Sequence, residues 1–244
     1  MKDPGRSRGD GEKSSETDED RAGSERLAAV LAQLSRAVLS VLLLTFLTGV
    51  VFPLAVAALA WLLMPHQAGG SLVVRDEVVV GSQLIGQDFT GPGYFHPRPS
   101  AAARGYDASA SSGTNLGPGN PKLRLGTPDD PATPGVDESF AGVLELAAAY
   151  RTQNGLGPDA AVPADAVTRS GSGLDPDISP ANAAMQVARV ARARGLSEQS
   201  MRRLLEEHTR GRKFGILGEP RVAVLPLNLA LDRATLIAPS KPAR

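Results

Sequence analysis

The pattern in this chain most suggestive of chemistry falls in one stretch. From Asp165 to Gly195 it reads DAVTRSGSGLDPDISPANAAMQVARVARARG, which joins three carboxylates, a glycine-serine loop and an arginine-studded helix pattern. Ser170 and Ser172 lie near Asp165 and Asp175, but a serine nucleophile needs a base, and His66, His96 and His208 all lie in other segments. SGSG also lacks the strand–elbow–helix setting of a hydrolase nucleophile, since no helix pattern begins before Pro180. Asp165, Asp175 and Asp177 have the chemistry of a general acid and base, and Asp175 with Asp177 that of a weak cation contact. The competing reading is an Asx-turn, whose form Asp175-Pro176 has. A glycine-rich loop feeding a helix N-terminus is a place where phosphates bind. Against that, G-x-x-x-x-G-K-S/T occurs nowhere and no lysine reaches the loop. Without cysteine there is no thiol catalysis, disulfide or thiolate metal site. The three scattered histidines would have to converge from distant segments to hold a metal.

A capped turn and a helix position these groups. Ser179 suits the N-cap, Pro180 the first helical position and Gly195 the residue past the end. Ala183, Val187, Val190 and Ala191 form one buried stripe, with Arg189, Arg192 and Arg194 largely off it, so 180–194 reads as a surface helix over a small core. SEQSMRRLLEEHTRG follows as a second helix, capped by Ser197 and apolar along Met201, Leu204 and Leu205. The Gly-centred turn between the two, with its local excess of arginine, has the form of a DNA-reading helix–turn–helix. Glu198, Glu206 and Glu207 on the would-be reading helix would repel phosphates. Upstream, FAGVLELAAAYRTQ (140–153) reads as an amphipathic helix through Phe140, Val143, Leu144 and Ala147, capped by Asp137 or Ser139 and ended by Gly155. RVAVL (221–225) reads as a strand that Pro226 stops or pushes to a sheet edge. Val73-Val74, a turn at 75–77 and Val78-Val79-Val80 read as a short hairpin. Residues 91–121, rich in Gly, Pro, Ser and Asn, read as loop, and Tyr94, Phe95 and Tyr106 argue that it is ordered and laid over something. Residues 126–139 form a second, acidic, more linker-like loop.

Ahead of these elements lies AVLSVLLLTFLTGVVFPLAVAALAWLLM, Ala37 to Met64, without a charge. It exceeds the ~20 residues that cross a ~30 Å hydrocarbon core. Trp61 suits an interface, and Pro53 would bend the helix. Ala58-Leu59-Ala60 has the small-x-small form of a signal cleavage site, but the apolar run is about twice the usual ~7–15-residue signal core, so an uncleaved anchor is expected. Arg21, Arg26 and Arg36 precede the span and only Arg75 closely follows, which puts the N-terminus in the cytoplasm and the rest outside. The expected organisation of the 244 residues is a disordered cytoplasmic head (1–35), a transmembrane helix (37–64), an extracytoplasmic α+β domain (65–232) and a polar tail (233–244). Lys plus Arg (26) equal Asp plus Glu (26), so no net charge draws the chain to nucleic acid.

Six segments in order carry a resemblance: GVVFPLAVAAL, GSQLIGQDF, GYFHPRPSAA, GTNLGPGNP, VPADAVTRSGSGLDPDISPANAAMQVARVARARG and LNLALD. Together, from about Leu39 to Asp232, the chain resembles the C subunit of the Kdp-type potassium-transporting ATPase, KdpC. The resemblance implies an accessory, non-catalytic chain of an inner-membrane complex in which a channel-like subunit conducts potassium and a P-type ATPase subunit consumes ATP. It implies no nucleic-acid partner; the membrane-anchored helix–turn–helix DNA regulator is the alternative. The D-K-T-G sequence of P-type ATPases is absent here. The family is often described as a chaperone that raises the ATP affinity of the catalytic subunit. Its likeness to an ABC signature loop implies Ser170, Gly171, Ser172, Gly173, Leu174, Asp175 and Gln186 as nucleotide contacts, with ATP the only cofactor suggested and none held firmly. The alternative within the family is an outer domain that caps the potassium entrance, with loop 91–121 as docking surface and Tyr94, Phe95, His96, Arg98 and Asn115 as its contacts. Asp177 stands where relatives often carry a histidine or an amide, and Ala223 where an asparagine is common. Each departure weakens a role for that side chain.

Overall fold

A computed structural model of the chain describes residues 10–128 and 139–237. It comprises two units, one up to Ala68 and one from Gly69 onward.

The first unit is helical. Helix α1 runs Asp10–Phe46, a π-helical turn covers Leu47–Val51, and α2 follows at Phe52–Leu63. The π-turn immediately precedes Pro53, which sits in the first turn of α2. Proline supplies no N–H and its ring crowds the preceding turn, and widening that turn relieves both problems. Gly23–Leu63 is long and apolar enough to cross a membrane, and its apolar side chains are exposed. The expected disordered head is corrected over residues 10–35, which are helical; residues 1–9 lie outside the described chain. SERLAAVLAQL is built from strong helix formers, and adding turns to a helix that already exists avoids the nucleation cost. A four-residue helix, α3 (Pro65–Ala68), ends this unit.

The second unit is α+β. Strands β1 (Leu72–Arg75) and β2 (Val78–Ser82) form the expected antiparallel hairpin, with Arg75 paired to Val78 inside the ladder. Its turn residues, Asp76 and Glu77, both take positive φ (51° and 65°), the backbone of a tight hairpin turn. A long ordered loop follows, then α4 (Pro121–Leu125), α5 (Val143–Asn154) and α6 (Ala164–Val167). Helix α5 starts later than expected, at an N-cap Gly142 without a side-chain cap; Asp137 lies outside the described residues. Leu144 is exposed rather than inward, and Ala147 with Tyr150 forms the buried face. Strand β3 (Asp177–Ile178), α7 (Pro180–Arg194), α8 (Glu198–His208), β4 (Thr209–Arg210), β5 (Arg221–Ala223) and α9 (Val224–Ile237) complete the unit.

Strand β5 lies between β3 and β4 in an antiparallel sheet, which corrects the edge position expected for it. Pro226 does not end β5; the chain turns helical at Val224, and Pro226 falls in the first turn of α9, where a missing N–H costs nothing. Because α9 continues to Ile237, the tail expected from 233 is helical over its first five residues, and 238–244 lie outside the described chain. The main core packs Ile178, Val187, Val190, Met201, Leu205, Val222, Leu227 and Leu231 around Phe95, which the long loop inserts.

Candidate functional site

Helix α7 begins as expected. The Ser179 Oγ accepts from Asn182 N (3.1 Å), and Gly195 takes a left-handed φ of 66° that closes the helix. A carboxylate already occupies the N-terminal end. Asp165 on α6 accepts from Ser179 N (2.7 Å), Ser179 Oγ (2.8 Å) and Asn182 Nδ2 (3.0 Å). The chain's own anion thus fills the position a phosphate would seek.

The expected apolar stripe of α7 is buried, but so is Arg189, at 8% exposure, which corrects its placement off that stripe. Its guanidinium donates to Pro92 O (2.7 Å), Tyr94 O (2.9 Å), Asn154 Oδ1 (3.0 Å) and Gln186 Oε1 (2.7 Å). All four acceptors are neutral, and burial lowers the pKa of the group. One turn earlier, Gln186 accepts from His96 N (2.7 Å) and donates to His96 O (3.1 Å) and Asn182 Oδ1 (2.8 Å). From α9, Asn228 accepts from Phe95 N and donates to Phe95 O, both at 2.9 Å. Arg194 donates to Gly93 O (2.7 Å) and to Asp232 Oδ1 (2.8 Å), with its guanidinium 4.4 Å from the Tyr94 ring centroid.

Every carbonyl from Pro92 to His96 therefore receives a side-chain donor from α7 or α9. The two amides replace a neighbouring strand, reading the N–H and C=O of consecutive residues. A buried loop must satisfy its backbone somehow, and here side chains do what a sheet would otherwise do.

A second set of bonds fixes the glycine-serine loop. Arg98 Nη1 meets Asp175 Oδ2 at 2.7 Å, and Asp175 Oδ1 accepts from Asp177 N (3.0 Å), the expected Asx-turn. Ser100 Oγ donates to Gly173 O (2.7 Å), Ser112 N to Ser172 O (3.0 Å) and Gly86 N to Leu174 O (2.8 Å). The Tyr106 hydroxyl donates to Arg98 O. Gly173 has φ +69°, and a Cβ there would lie 2.6 Å from Ser112 O and 2.7 Å from Ala102 N. Asp177 pairs with Arg221 (2.9 Å), and burial raises its pKa, with Arg221 opposing the shift.

The residues named from the sequence thus separate. Ser170 to Asp175 form one braced turn, while Gln186 is 1% exposed and engaged with His96 and Arg189. Among the expected docking contacts Phe95 is fully buried, which corrects its assignment to a partner surface. Tyr94, His96 and Arg98 are half-buried and bonded within the domain, and Asn115 is exposed with φ 51°. An open cleft of 410 Å³ is lined by Asp88, His96, Arg98, Arg104, Tyr106 and Tyr150 among others. Burial pushes both phenols' pKa up, so they remain hydrogen-bond donors, Tyr150 to Asn182 and Tyr106 to Arg98. Burial also lowers the His96 pKa. No group of three or more His, Asp or Glu among the described residues could hold a metal. Asn228, Asn182 and Arg189 escaped sequence reasoning, though an asparagine inside the apolar run LNLAL was a legible signal for the first.

Comparison with known proteins is consistent with this arrangement. The family model described as KdpC, the K+-transporting ATPase c chain, matches residues 34–233. A potassium-transporting ATPase KdpC subunit of Mycobacterium bovis is 51% identical over 201 residues, covering 82% of this chain and 98% of that protein. Subunits of the same name from Cereibacter sphaeroides (48% over 205 residues, 84% and 99% covered) and Beijerinckia indica (48% over 203 residues, 83% and 94% covered) are similar throughout. The match spans both helices of the would-be DNA reader and sets that alternative aside, and on α8 Arg202 already faces Glu198 at 3.4 Å. The chain belongs to the KdpC family, as an accessory subunit of the potassium-transporting ATPase.

Proposed function

We propose that this subunit works without chemistry of its own, as the chain that assembles and steadies a potassium-importing complex on the extracytoplasmic side of the inner membrane. Its partners in this reading are a channel-like subunit that conducts potassium and a P-type ATPase subunit that consumes ATP. One observation carries the non-catalytic part. The acids and the amide singled out from the sequence are already engaged by the chain's own groups: Asp165 by the α7 N-terminus, Asp175 by Arg98, Asp177 by Arg221 and Gln186 by His96 and Arg189. The same engagement argues against direct ATP contact. Gln186 keeps no free donor or acceptor, and a phosphate approaching α7 would meet the Asp165 carboxylate. Help to the catalytic subunit, including any gain in its ATP affinity, then acts through the assembly. Deleting the gene is expected to abolish ATP-driven potassium uptake in potassium-starved cells, and normal uptake would overturn the reading. On the isolated outer domain, amide NMR signals of Gly171 and Gly173 are expected to stay put at saturating ATP; shifts there would restore the nucleotide contact.

A further inference from the structure

Phe95 of loop 91–121 is turned inward, and Tyr94, His96 and Arg98 are bonded within the domain, so large exposed apolar surface lies elsewhere. Among the described residues of the second unit, the connection between β4 and β5 carries the two most exposed large apolar side chains. Residues 210–220 read RGRKFGILGEP, and all are exposed. Phe214, Ile216 and Leu217 are 81%, 75% and 56% exposed. Water disfavours three adjacent large apolar side chains, and such patches mark interaction sites.

The segment is also preformed. Lys213 and Leu217 exchange both backbone hydrogen bonds (2.8 and 2.9 Å), and Gly215 N donates to Arg212 O (3.2 Å). Phe214 holds φ 56°, a conformation a bulky side chain rarely takes, and Gly215 and Gly218 take positive φ beside it. No side chain of the core rests on this tip, so its order comes from its own turn. A rigid apolar knob loses little entropy on docking.

Its charge selects the occupant. Arg210, Arg212 and Lys213 flank the knob, and Arg212 is paired within the loop to Glu219 at 2.7 Å. The Glu219 carboxylate is already held by Arg212, and the tip carries neither Trp nor Tyr, the side chains that favour a lipid–water interface. A protein socket with an apolar floor and carboxylates on its rim satisfies both the knob and the net positive charge beside it, since Arg210 and Lys213 form no salt bridge among the described residues. We infer that the 212–217 hairpin is the plug by which this subunit docks into such a socket on the extracytoplasmic face of another chain of the same ATPase.

The inference rests on the assembly role proposed above, and one experiment separates them. The tagged subunit is purified from potassium-limited membranes, as wild type and as F214S/I216S, and a photo-crosslinking residue is placed at position 214 in a third sample. Wild type is expected to recover the other ATPase chains, the double variant to recover at least tenfold less at an unchanged melting temperature, and the crosslinker to form an adduct that mass spectrometry identifies as one of those chains. If wild type recovers none, the assembly role itself fails. If wild type and F214S/I216S recover them equally, or if position 214 labels only lipid or solvent, the hairpin inference alone is overturned. The crosslink reads contact without depending on the variant's fold.

Discussion

Gln186 uses both ends of its amide on the backbone of His96 and also receives Arg189. Replacing it by leucine would orphan the His96 N–H and C=O and one arm of a buried guanidinium. Each buried unsatisfied group costs about 1–3 kcal/mol, so Gln186→Leu is expected to lower stability by about 3 kcal/mol or more, read as a fall in urea midpoint. Gln186→Glu keeps the acceptor for His96 N and Arg189 but sets a carboxylate oxygen against His96 O and Asn182 Oδ1, where the amide donated, so it is expected to destabilise as well. His96 gives a second test. Its Nε2 lies 2.9 Å from Gly91 O and 3.4 Å from Arg189 Nη1, and burial lowers its pKa below the ordinary value. The neutral ring is therefore favoured in the folded state. The unfolded chain binds the proton more readily, so stability is complete above about pH 6.5 and declines as pH falls through the folded pKa. The melting temperature of the unit from Gly69 onward should drop across that window, and His96→Gln should remove this part of the slope. At this scale the sequence was legible where partners are local: Ser179 and Gly195 cap α7 as their types dictate. Arg189 was not legible, because a helical wheel records only its polarity, while the carbonyls that bury it come from Pro92 and Tyr94.

Elements followed the same division. The hairpin at 72–82 and helices α7 and α8 announce themselves through turn residues, caps and periodicity, all local signals. Strands β3 and β4 have two residues each and exist only because β5 lies between them, a pairing no local pattern encodes. The glycine-serine loop shows how an element can be tested without touching chemistry. At Gly171 a Cβ would meet nothing within 4 Å, whereas at Gly173 it would strike two backbone atoms in a left-handed conformation. Gly171→Ala is expected to change stability by less than about 0.5 kcal/mol. The left-handed φ alone costs Gly173→Ala about 1–2 kcal/mol, and the clash adds to it. Thermal unfolding should separate the two clearly, and both variants should support potassium uptake in proportion to the folded protein present. A loop that held nucleotide through its glycine backbone would instead lose function at Gly171 without losing stability.

For the whole molecule the deciding quantity is the direction in which the span crosses the bilayer. Exported placement makes the outer domain available to the potassium entrance; the reverse would hand it to cytoplasmic ATP. The apolar span was legible from composition, and its continuation back to Asp10 was not, because residues without a burial pattern announce a helix only through propensity. Orientation depends on Arg21, Arg26 and Arg36 before the apolar core against Arg75 after it, since basic residues are retained in the cytoplasm and acidic ones count little. A reporter enzyme that works only outside the cytoplasm should be active when fused after Arg244 and inactive when fused before Met1. Changing Arg21, Arg26 and Arg36 to serine removes the bias and should yield mixed topology, with reporter activity at the C-terminal fusion falling severalfold and potassium uptake falling with it. Full activity of the N-terminal fusion in the unaltered chain would reverse the orientation, place Asp165 and the glycine-serine loop within reach of ATP, and require the 212–217 plug to find its socket on the cytoplasmic side.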